Sequence, residues 1–327
     1  MFRKILFFFV LVSIIIFYCL KNPIVQDKNT SNKPIVAITQ IAPHPSLDAI
    51  RQGILDELAH QHTSVEIIYE NAQGNITLAA QIANKFVSLN PKVIVSITTP
   101  STQAVYNVAQ KYHIPVVYSA VSDPVAAKLV DSATKVGAGI AGVCDFSPIQ
   151  QQIDLILAIQ PNLKKLGVLY NAAEANSVAL IEKLDILIKA HDIELVKVAA
   201  ANTQEVSSAA ASLIGKVDAL YIPNDNTIVS SLESVIKMID QKMPIYAADP
   251  QSVIRGCLAS AAYGQYEIGR ETGKVLVKVL EGVAPETIPM QTLTKVEFTL
   301  NQEVADKLGL TFPSSLLHQN PTIVGKK

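Results

Sequence analysis

The most constraining feature of the sequence is an alternation of short β-branched runs with longer stretches of helical periodicity, which begins at residue 34. Near-continuous apolar runs separated by helices are typical of parallel strands that are buried on both faces. The strands predicted for the first half are Ile35–Ile41, Val65–Glu70, Val93–Ile97, Val116–Ser119 and a weak strand at Gly139–Val143. The helices predicted between them are Ser46–His60, Ile76–Leu89 and Ser101–Lys111. We therefore expect an α/β fold built from β-α-β units.

The second half of the chain repeats this alternation. Its predicted strands are Leu166–Tyr170, Glu194–Ala199, Ala219–Ile222, Ile245–Ala247 and Leu258–Ala262, with residues 295–300 as a further strand. Its predicted helices are Ile149–Ile159, Glu174–Ala190, Gln204–Ile214, Ile228–Gln241 and Ile268–Glu281. In both halves a strand that begins after a proline is followed by Asp-Pro, at Asp123-Pro124 and at Asp249-Pro250. The repetition predicts two lobes of like topology, and a length of 327 residues also favours two domains.

The charge balance disfavours some classes of partner. The formal net charge is −1, from 27 basic and 28 acidic residues. The arginines are Arg3, Arg51, Arg255 and Arg270. Without a strong positive field or enough arginines, sequence-independent binding to nucleic acid or to an anionic membrane surface and an arginine-based phosphate clamp are both disfavoured.

The first 25 residues are predicted to be a targeting segment rather than part of the fold. A short basic region precedes an almost unbroken apolar run at residues 5–20. This run is shorter than the about 20 residues that span a bilayer, and it is typical of a secretion signal. A cleaved signal, an atypical lipid anchor at Cys19 and an uncleaved anchor all remain open. Each implies that the rest of the chain is exported, with the polar residues 26–33 as a tether.

Common motifs for catalysis and for metal binding are absent from the sequence. There is no G-x-S-x-G, no Walker A motif, no G-x-G-x-x-G after a strand and no H-E-x-x-H. The pair His60-x-His62 lacks a nearby third ligand for a metal. We therefore expect no catalytic residue, no metal and no cofactor. Cys144 and Cys257 are predicted either to be buried thiols or to form a disulfide.

The loops that follow the strands are rich in small polar residues, and in open parallel sheets ligands bind at this edge. Thr99, Ser101 and Thr102 are predicted to open a helix, whose free N–H groups and hydroxyls suit a carboxylate or phosphate. Plain helix capping is the alternative. Asp225 and Asp249 suit an ammonium group, with capping and turn formation as the alternatives.

Two further sets of side chains are candidates for the same edge. Asn171 and Asn176 offer both donors and acceptors, or else form Asx turns. Several tyrosines near strand ends form either an aromatic wall for a ligand or the edge of the core, namely Tyr118, Tyr170, Tyr246, Tyr263 and Tyr266.

Six segments of the chain form a pattern in a fixed order and spacing. They are TQIAPHPSLDAIRQG (39–53), YSAVSDPV (118–125), YNAAEANS (170–177), YIPNDNT (221–227), IGRETG (268–273) and LGLTFPSSLL (308–317). Together they resemble the tryptophan-binding family of ABC-transporter substrate-binding proteins, over roughly residues 34–320.

The resemblance implies a type I periplasmic-binding-protein fold, in which two Rossmann-like lobes with parallel sheets are joined by three crossovers. Lobe 1 would comprise residues 34–145, completed by about 263–290, and lobe 2 residues 146–262, completed by about 291–320. By analogy, hydroxyls of lobe 1 would hold the carboxylate of an amino acid, and polar groups of lobe 2 its ammonium. These roles fall on Thr99, Ser101, Thr102 and Ser119 in lobe 1, and on Asn176, Asp225, Asn226 and Asp249 in lobe 2.

The chain departs from the family pattern at two places. It has Ala172-Ala173 where relatives commonly have Pro-Gly. It has Gly264-Gln265 where they commonly have an acidic or amide residue followed by Tyr. The second departure lies near a crossover, so the resemblance leaves the identity of the ligand open.

The function that the resemblance implies is that of the exported substrate-binding component of an ABC importer. Such a protein traps a small ligand, here an amino acid and by analogy an aromatic one, by hinge closure and delivers it to a membrane permease. We expect a monomer in the periplasm or at the outer face of the cytoplasmic membrane. An exported sensing domain that acts through a signalling partner, and a binder of a solute other than an amino acid, remain alternatives. The export segment disfavours a transcriptional regulator, and the missing nucleophile–base pair disfavours an enzyme.

Overall fold

The computed structural model describes residues 33–131 and 137–325. Within these ranges, the residues from Pro34 onward form one compact unit. The predicted targeting segment, including Cys19, lies outside the described residues, as does nearly all of the tether. None of the helices in the described ranges is long and apolar enough to cross a membrane.

Strands and helices alternate along the chain. The strands are β1 (Ile35–Gln40), β2 (Glu66–Asn71), β3 (Val93–Ile97), β4 (Val116–Val121), β5 (Ile140–Cys144), β6 (Lys165–Tyr170), β7 (Glu194–Ala199), β8 (Ala219–Ile222), β9 (Ile245–Ala247), β10 (Ala259–Ala262), β11 (Gln291–Thr292), β12 (Glu297–Asn301) and β13 (Thr322–Val324). The helices are α1 (Pro45–His60), α2 (Ile76–Ser88), α3 (Thr99–Ala109), α4 (Ile149–Ile159), α5 (Ala175–Lys189), α6 (Val206–Ala211), α7 (Asn226–Ser230), α8 (Leu232–Ile239), α9 (Pro250–Ile254), α10 (Gln265–Leu280), α11 (Gln302–Leu308) and α12 (Ser314–Leu317).

The strands form two sheets, each with its own hydrophobic core. The first sheet has the order β11-β5-β4-β3-β1-β2, with parallel pairs throughout its described strands. The second has the order β13-β12-β10-β9-β8-β6-β7, and β10 and β12 pair antiparallel. Strands β3, β4 and β5 are buried at every position, as parallel strands covered by helices on both faces must be. The predicted α/β fold class is confirmed.

The chain passes between the two sheets three times: after β5, after β10 and after β11. The sequence predicts that about 291–320 complete the second lobe, and strand β11 at the start of this range pairs with β5 of the first sheet. We retain the two lobes as a proposal, with the third crossing placed after Thr292.

Helix α10 follows the second crossing and packs on α1 of the first sheet. A methyl group built on Gly269 would overlap the carbonyl oxygen of Ile50, and one on Gly273 would overlap the side chain of Glu57. Only residues without a Cβ allow two helices to approach so closely. Because residue numbers increase in the same direction along both helices at these contacts, α1 and α10 are parallel and begin at the same end of the lobe.

The helices of the second sheet differ most from those predicted. One helix is predicted over Ile228–Gln241, but α7 and α8 are separated at Ser231, whose backbone leaves the helical region (φ −114°, ψ 20°). The helix predicted over Gln204–Ile214 contains only Val206–Ala211. The sequence periodicity does not predict α9, α11 or α12, because helices of four to seven residues contain too few positions to show a 3.6-residue period.

The described cysteines are both free and buried, Cys144 beside the first crossing and Cys257 in the core of the second sheet. Of the two alternatives left open by the sequence, buried thiols are confirmed. The described residues contain no cluster of three or more His, Cys, Asp or Glu that could hold a metal ion.

Candidate functional site

A cavity lies where the strand-to-helix loops at the carboxyl ends of the two sheets face each other. The space between the facing loops, open solvent included, is about 420 Å³. The first sheet and its helices contribute His44, Ser46, Leu47, Thr98, Thr99, Ala120, Ser122 and Gln265. The loop after β5 contributes Asp145, and the second sheet contributes Asn176, Asn224, Asp225, Asn226, Val229 and Asp249.

The start of α3 supplies unpaired polar groups to the cavity. The Oγ1 atoms of Thr98 and Thr99 are buried and have no hydrogen-bond partner among the described residues. Thr98 also has a φ of 80°, which β-branched residues rarely adopt. Strained residues cluster at functional sites, and the N-terminus of a helix favours an anionic group. This part of the wall therefore suits a carboxylate.

A second backbone outlier forms the adjoining wall. Ala120 has a φ of 53°, and the register of β4 against β5 shifts between Ser119 and Val121. The bulge places Ala120 in the cavity wall. Ser119 does not line the cavity, and its hydroxyl pairs with that of Thr272 on α10 at 2.7 Å. Bulges of this kind often occur next to functional sites.

The aspartates of the second sheet border the cavity but are used as helix caps. Asp225 accepts hydrogen bonds from the N–H of Ile228 (3.0 Å) and the hydroxyl of Ser177 (2.6 Å). Asp249 accepts from the N–H and the hydroxyl of Ser252, at 3.0 and 2.5 Å. The capping role that the sequence analysis leaves open thus applies to both.

A second carboxyl lies beside Asp225. Glu174 accepts hydrogen bonds from the N–H groups and the side chains of Asn226 and Thr227. Burial, followed by the negative charge of Glu174, raises the pKa of Asp225 to about 7. A cationic group on a ligand would offset the negative charge gathered on this wall.

Asp145 is the acidic group at the hinge end of the cavity, directly after β5. Its side chain is buried, and its Oδ2 accepts a hydrogen bond of 2.9 Å from the amide of Asn224 in the other lobe. Burial raises the pKa of Asp145 to about 7, although a hydrogen bond from Gln265 lowers it. No Lys or Arg is among the residues described as lining the cavity. Asp145 is therefore the carboxyl most available to an ammonium group.

His44 lines the cavity just before the start of α1. It is 7% exposed, and neither ring nitrogen has a hydrogen-bond partner among the described residues. Burial lowers the pKa of His44 to about 4, although the charge of Asp249 acts in the opposite direction. The imidazole is thus neutral at neutral pH, with one donor and one acceptor unused.

Contacts across the cavity hold the two lobes together. Ser46 donates a hydrogen bond of 2.6 Å to Asp249 on the opposite lobe. Lys183 on α5 forms an ion pair of 2.8 Å with Asp123 in the loop after β4. Together with the bond to Asp145, these contacts describe lobes that are closed on the cavity.

The structure places only some of the predicted ligand-binding residues at the cavity. Those that line it are Thr99, Asn176, Asp225, Asn226 and Asp249. Ser101, Thr102 and Ser119 do not line it. Because α3 starts at Thr99 rather than at Ser101, Thr102 lies within the first turn, where its hydroxyl bonds the carbonyl of Thr98 and the hydroxyl of Ser96.

Sequence reasoning missed several residues that line the cavity, among them His44, Thr98, Asp145, Asn224 and Gln265. His44, Thr98 and Asn224 belong to the loops that the sequence singles out, but nothing in the pattern separates them from their neighbours. No local pattern marks Asp145, whereas Gln265 lies at one of the two departures from the family pattern. None of the five candidate tyrosines lines the cavity, and Tyr118 and Tyr246 are buried in the cores.

Comparison with known proteins identifies relatives over nearly the whole described chain. Residues 35–324 match the family described as ABC transporter substrate binding protein. The chain is 35% identical over 292 residues to a tyrosine-binding protein of Clostridioides difficile (strain R20291), covering 87% of this chain and 84% of that protein.

Two solved structures differ in how closely they match the arrangement of the lobes. An ABC domain from Streptococcus pneumonia in complex with L-Trp is 33% identical, with a TM-score of 0.85, covering 88% of this chain and 100% of that one. The ligand-free, open structure of a substrate-binding protein with adhesive properties from Clostridium difficile is 32% identical, with a TM-score of 0.68, covering 90% and 100%. At nearly equal identity, the present structure is closer to the ligand complex, in agreement with its closed lobes.

Proposed function

The chain belongs to the family of ABC transporter substrate-binding proteins, and we propose that it captures an aromatic amino acid between its lobes and presents it to a membrane permease. The observation that carries this proposal is the pairing of two complementary groups in one cavity. The start of α3, with Thr98 and Thr99, suits a carboxylate, and the buried carboxyl of Asp145 suits an ammonium. The tyrosine-binding relative and the tryptophan complex support an aromatic ligand.

In this arrangement the α-carboxylate of the ligand accepts hydrogen bonds from Thr98, Thr99 and the first N–H groups of α3. The ammonium donates to Asp145, which has no cationic partner among the cavity-lining residues. Asp225 and Asp249 add negative charge to the wall while they cap their helices.

The rest of the ligand lies against the apolar part of the wall. Leu47, Ala120 and Val229 are the apolar residues that line the cavity. They come from both lobes, so a ring placed among them loses most of its contact with water when the lobes close. This burial contributes affinity in addition to the polar contacts.

Closure follows from contacts that need both lobes at once. A shift from 1:99 to 99:1 in favour of the closed state requires about 5.5 kcal/mol of differential affinity. Hydrogen bonds to charged groups contribute roughly 1.5–3 kcal/mol each, so the carboxylate and ammonium contacts supply most of this. The segments after β5, β10 and β11 are the hinges.

ABC substrate-binding proteins act outside the cytoplasm. We place this protein in the periplasm or at the outer face of the cytoplasmic membrane, as a monomer that uses residues 1–25 as its signal or anchor. Its ligand leaves the cavity chemically unchanged.

The test is a thermal-shift assay on full-length protein in mild detergent, unfolded and refolded to remove carried ligand. Ligand at 100 times its Kd adds about 2.7 kcal/mol of stability, which is easily measured. We expect a higher Tm with L-tyrosine, L-tryptophan or L-phenylalanine and none with myo-inositol. No shift with any amino acid would contradict the proposed function, and a new product in the recovered ligand would contradict simple binding.

A further inference from the structure

His44 has hydrogen-bonding capacity that the protein itself leaves unused. Its backbone is extended (φ −151°, ψ 154°), and its side chain does not cap α1. Both ring nitrogens are buried without a hydrogen bond of normal geometry among the described residues, although the side chain of Asn226 lies close to the imidazole, and His44 borders the cavity. A buried polar group without a partner destabilises the fold. A side chain kept in this state is explained by a partner that arrives with the ligand.

The position of His44 indicates which part of the ligand it meets. The charged groups that act on the imidazole are Asp249, Arg255 and Asp48, and the side chain of Asn226 also lies close to it. Ser46, two residues further along the chain, bonds Asp249 across the cavity. His44 therefore lies beside the contact that α1 and α9 make across the cavity.

We orient an amino acid held by its carboxylate at α3 and its ammonium at Asp145 with its side chain toward His44. Leu47 and Val229 line the cavity and are available to the faces of the ring. The outer edge of the ring then reaches the imidazole of His44. This placement rests on the proposed function, since it uses the amino-acid groups to orient the ligand.

We propose that His44 accepts a hydrogen bond from a polar atom on the edge of the ligand's ring and thereby selects tyrosine and tryptophan over phenylalanine. The neutral imidazole has one acceptor nitrogen, which can receive the phenol O–H or the indole N–H. Phenylalanine carries neither group. In a complex with phenylalanine, the imidazole remains as unpaired as it is in the free protein. Phenylalanine therefore binds less tightly than a ligand that forms this hydrogen bond.

The experiment is isothermal titration calorimetry of refolded full-length protein with L-tyrosine, L-tryptophan and L-phenylalanine. We expect the wild-type protein to bind tyrosine and tryptophan at least about tenfold more tightly than phenylalanine. In His44→Leu we expect the three Kd values to lie within about threefold of one another, because tyrosine and tryptophan lose affinity while phenylalanine does not.

Two matched variants separate ring recognition from other effects. His44→Gln retains a donor and an acceptor, and we expect it to keep part of the preference for tyrosine. Ser46→Ala removes the bond to Asp249, so it weakens all three ligands by the same factor and leaves their ratios unchanged. The Tm of ligand-free His44→Leu should not fall, because an apolar side chain replaces an unpaired imidazole. If this variant does not fold, His44→Phe provides the same comparison.

The outcomes distinguish this inference from the proposed function. An unchanged ratio of tyrosine to phenylalanine affinity in His44→Leu overturns the role of His44, and so does a wild-type protein without preference between these ligands. Both results leave an amino-acid-binding protein. Failure to bind any amino acid overturns the proposed function and this inference with it.

Discussion

At the start of α3, the ligand-binding candidates are the side chains that both line the cavity and lack a hydrogen-bond partner, whereas Ser101 lacks a partner but does not line the cavity. Thr98 and Thr99 keep buried hydroxyls without partners, whereas the hydroxyl of Thr102 is fully used within its own helix and strand. The sequence predicts a helix from Ser101, but the helix starts two residues earlier, so that Thr98 and Thr99 stand at its N-terminus. At 100° per residue, a shift of two positions is enough to turn a side chain from the cavity into the lobe.

Replacing both unpaired hydroxyls tests this distinction. Thr98→Ala combined with Thr99→Ala should weaken binding of every amino acid about tenfold or more, because the carboxylate loses two donors. Calorimetry measures the effect. The matched control is Thr102→Ala, which removes internal bonds and should lower the Tm while changing Kd less than about twofold. A larger loss of affinity in Thr102→Ala would restore the contact with ligand predicted from the sequence.

Among the elements, the contact between α1 and α10 does most to position the site. The two helices are parallel and touch through glycines, and both begin at the cavity, with His44 just before α1 and Gln265 opening α10. In the sequence, most of the chain separates the two helices. The sequence shows the helices, but only their packing brings the two N-termini together.

A methyl group at this crossing should separate the helices. Gly269→Ala places a Cβ against the carbonyl of Ile50, and overpacking of this kind costs roughly 1–3 kcal/mol. We expect the Tm to fall by about 5 °C and the affinity for amino acids to weaken. Thermal unfolding and calorimetry check the two effects. Lys278→Ala, on the exposed side of the same helix, should change neither. An unchanged Tm in Gly269→Ala would mean that the crossing can open without cost.

At the scale of the whole molecule, closure of the lobes brings carboxyl groups without cationic partners together around one cavity. Asp145, Asp225 and Asp249 border one cavity, and no Lys or Arg is among the described residues that line it. Burial raises the pKa of both Asp145 and Asp225 to about 7. The closed lobes without ligand therefore favour protonated carboxyls, and a ligand ammonium favours the charged form.

The pH dependence of stability tests this electrostatic account. The pKa of Asp145 rises on folding from its ordinary 3.8 to about 7, so its contribution to stability is complete below about pH 4 and is lost as the pH rises through 7. In Asp145→Asn without ligand, the Tm should exceed that of the wild type by a margin that grows from about pH 4 to pH 7, then levels off near 10 °C. The lowered pKa of His44 acts in the opposite direction between about 4 and 6.5, but equally in both proteins.

Amino-acid binding should show the converse trend. Affinity in the wild type should increase between pH 6 and 8 as Asp145 ionises, and Asp145→Asn should bind weakly with little dependence on pH. A pH-independent Kd in the wild type would place the ammonium elsewhere, with Asp225 as the first alternative.

The local pattern alone determined the α/β class and the positions of nearly all strands along the chain, because burial on both faces imposes apolar runs such as Val93–Ile97. The same reasoning located the edge of the sheets at which the cavity lies, since parallel strands bring their carboxyl ends together. This reasoning did not predict short helices such as α9, because five residues are too few to show a helical period.

Tertiary structure alone decided which polar groups remain free. Asp249, predicted from the sequence to hold an ammonium, accepts hydrogen bonds from Ser252 and Ser46. Asp145, which no pattern marks, accepts one from Asn224 but has no Lys or Arg beside it among the described residues that line the cavity. The ring nitrogens of His44 have no hydrogen-bond partner among the described residues. Residue type and spacing specify what a side chain is able to donate or accept. Whether that capacity is already used depends on neighbours as much as 203 positions away along the chain, which only the folded lobes bring within hydrogen-bonding distance.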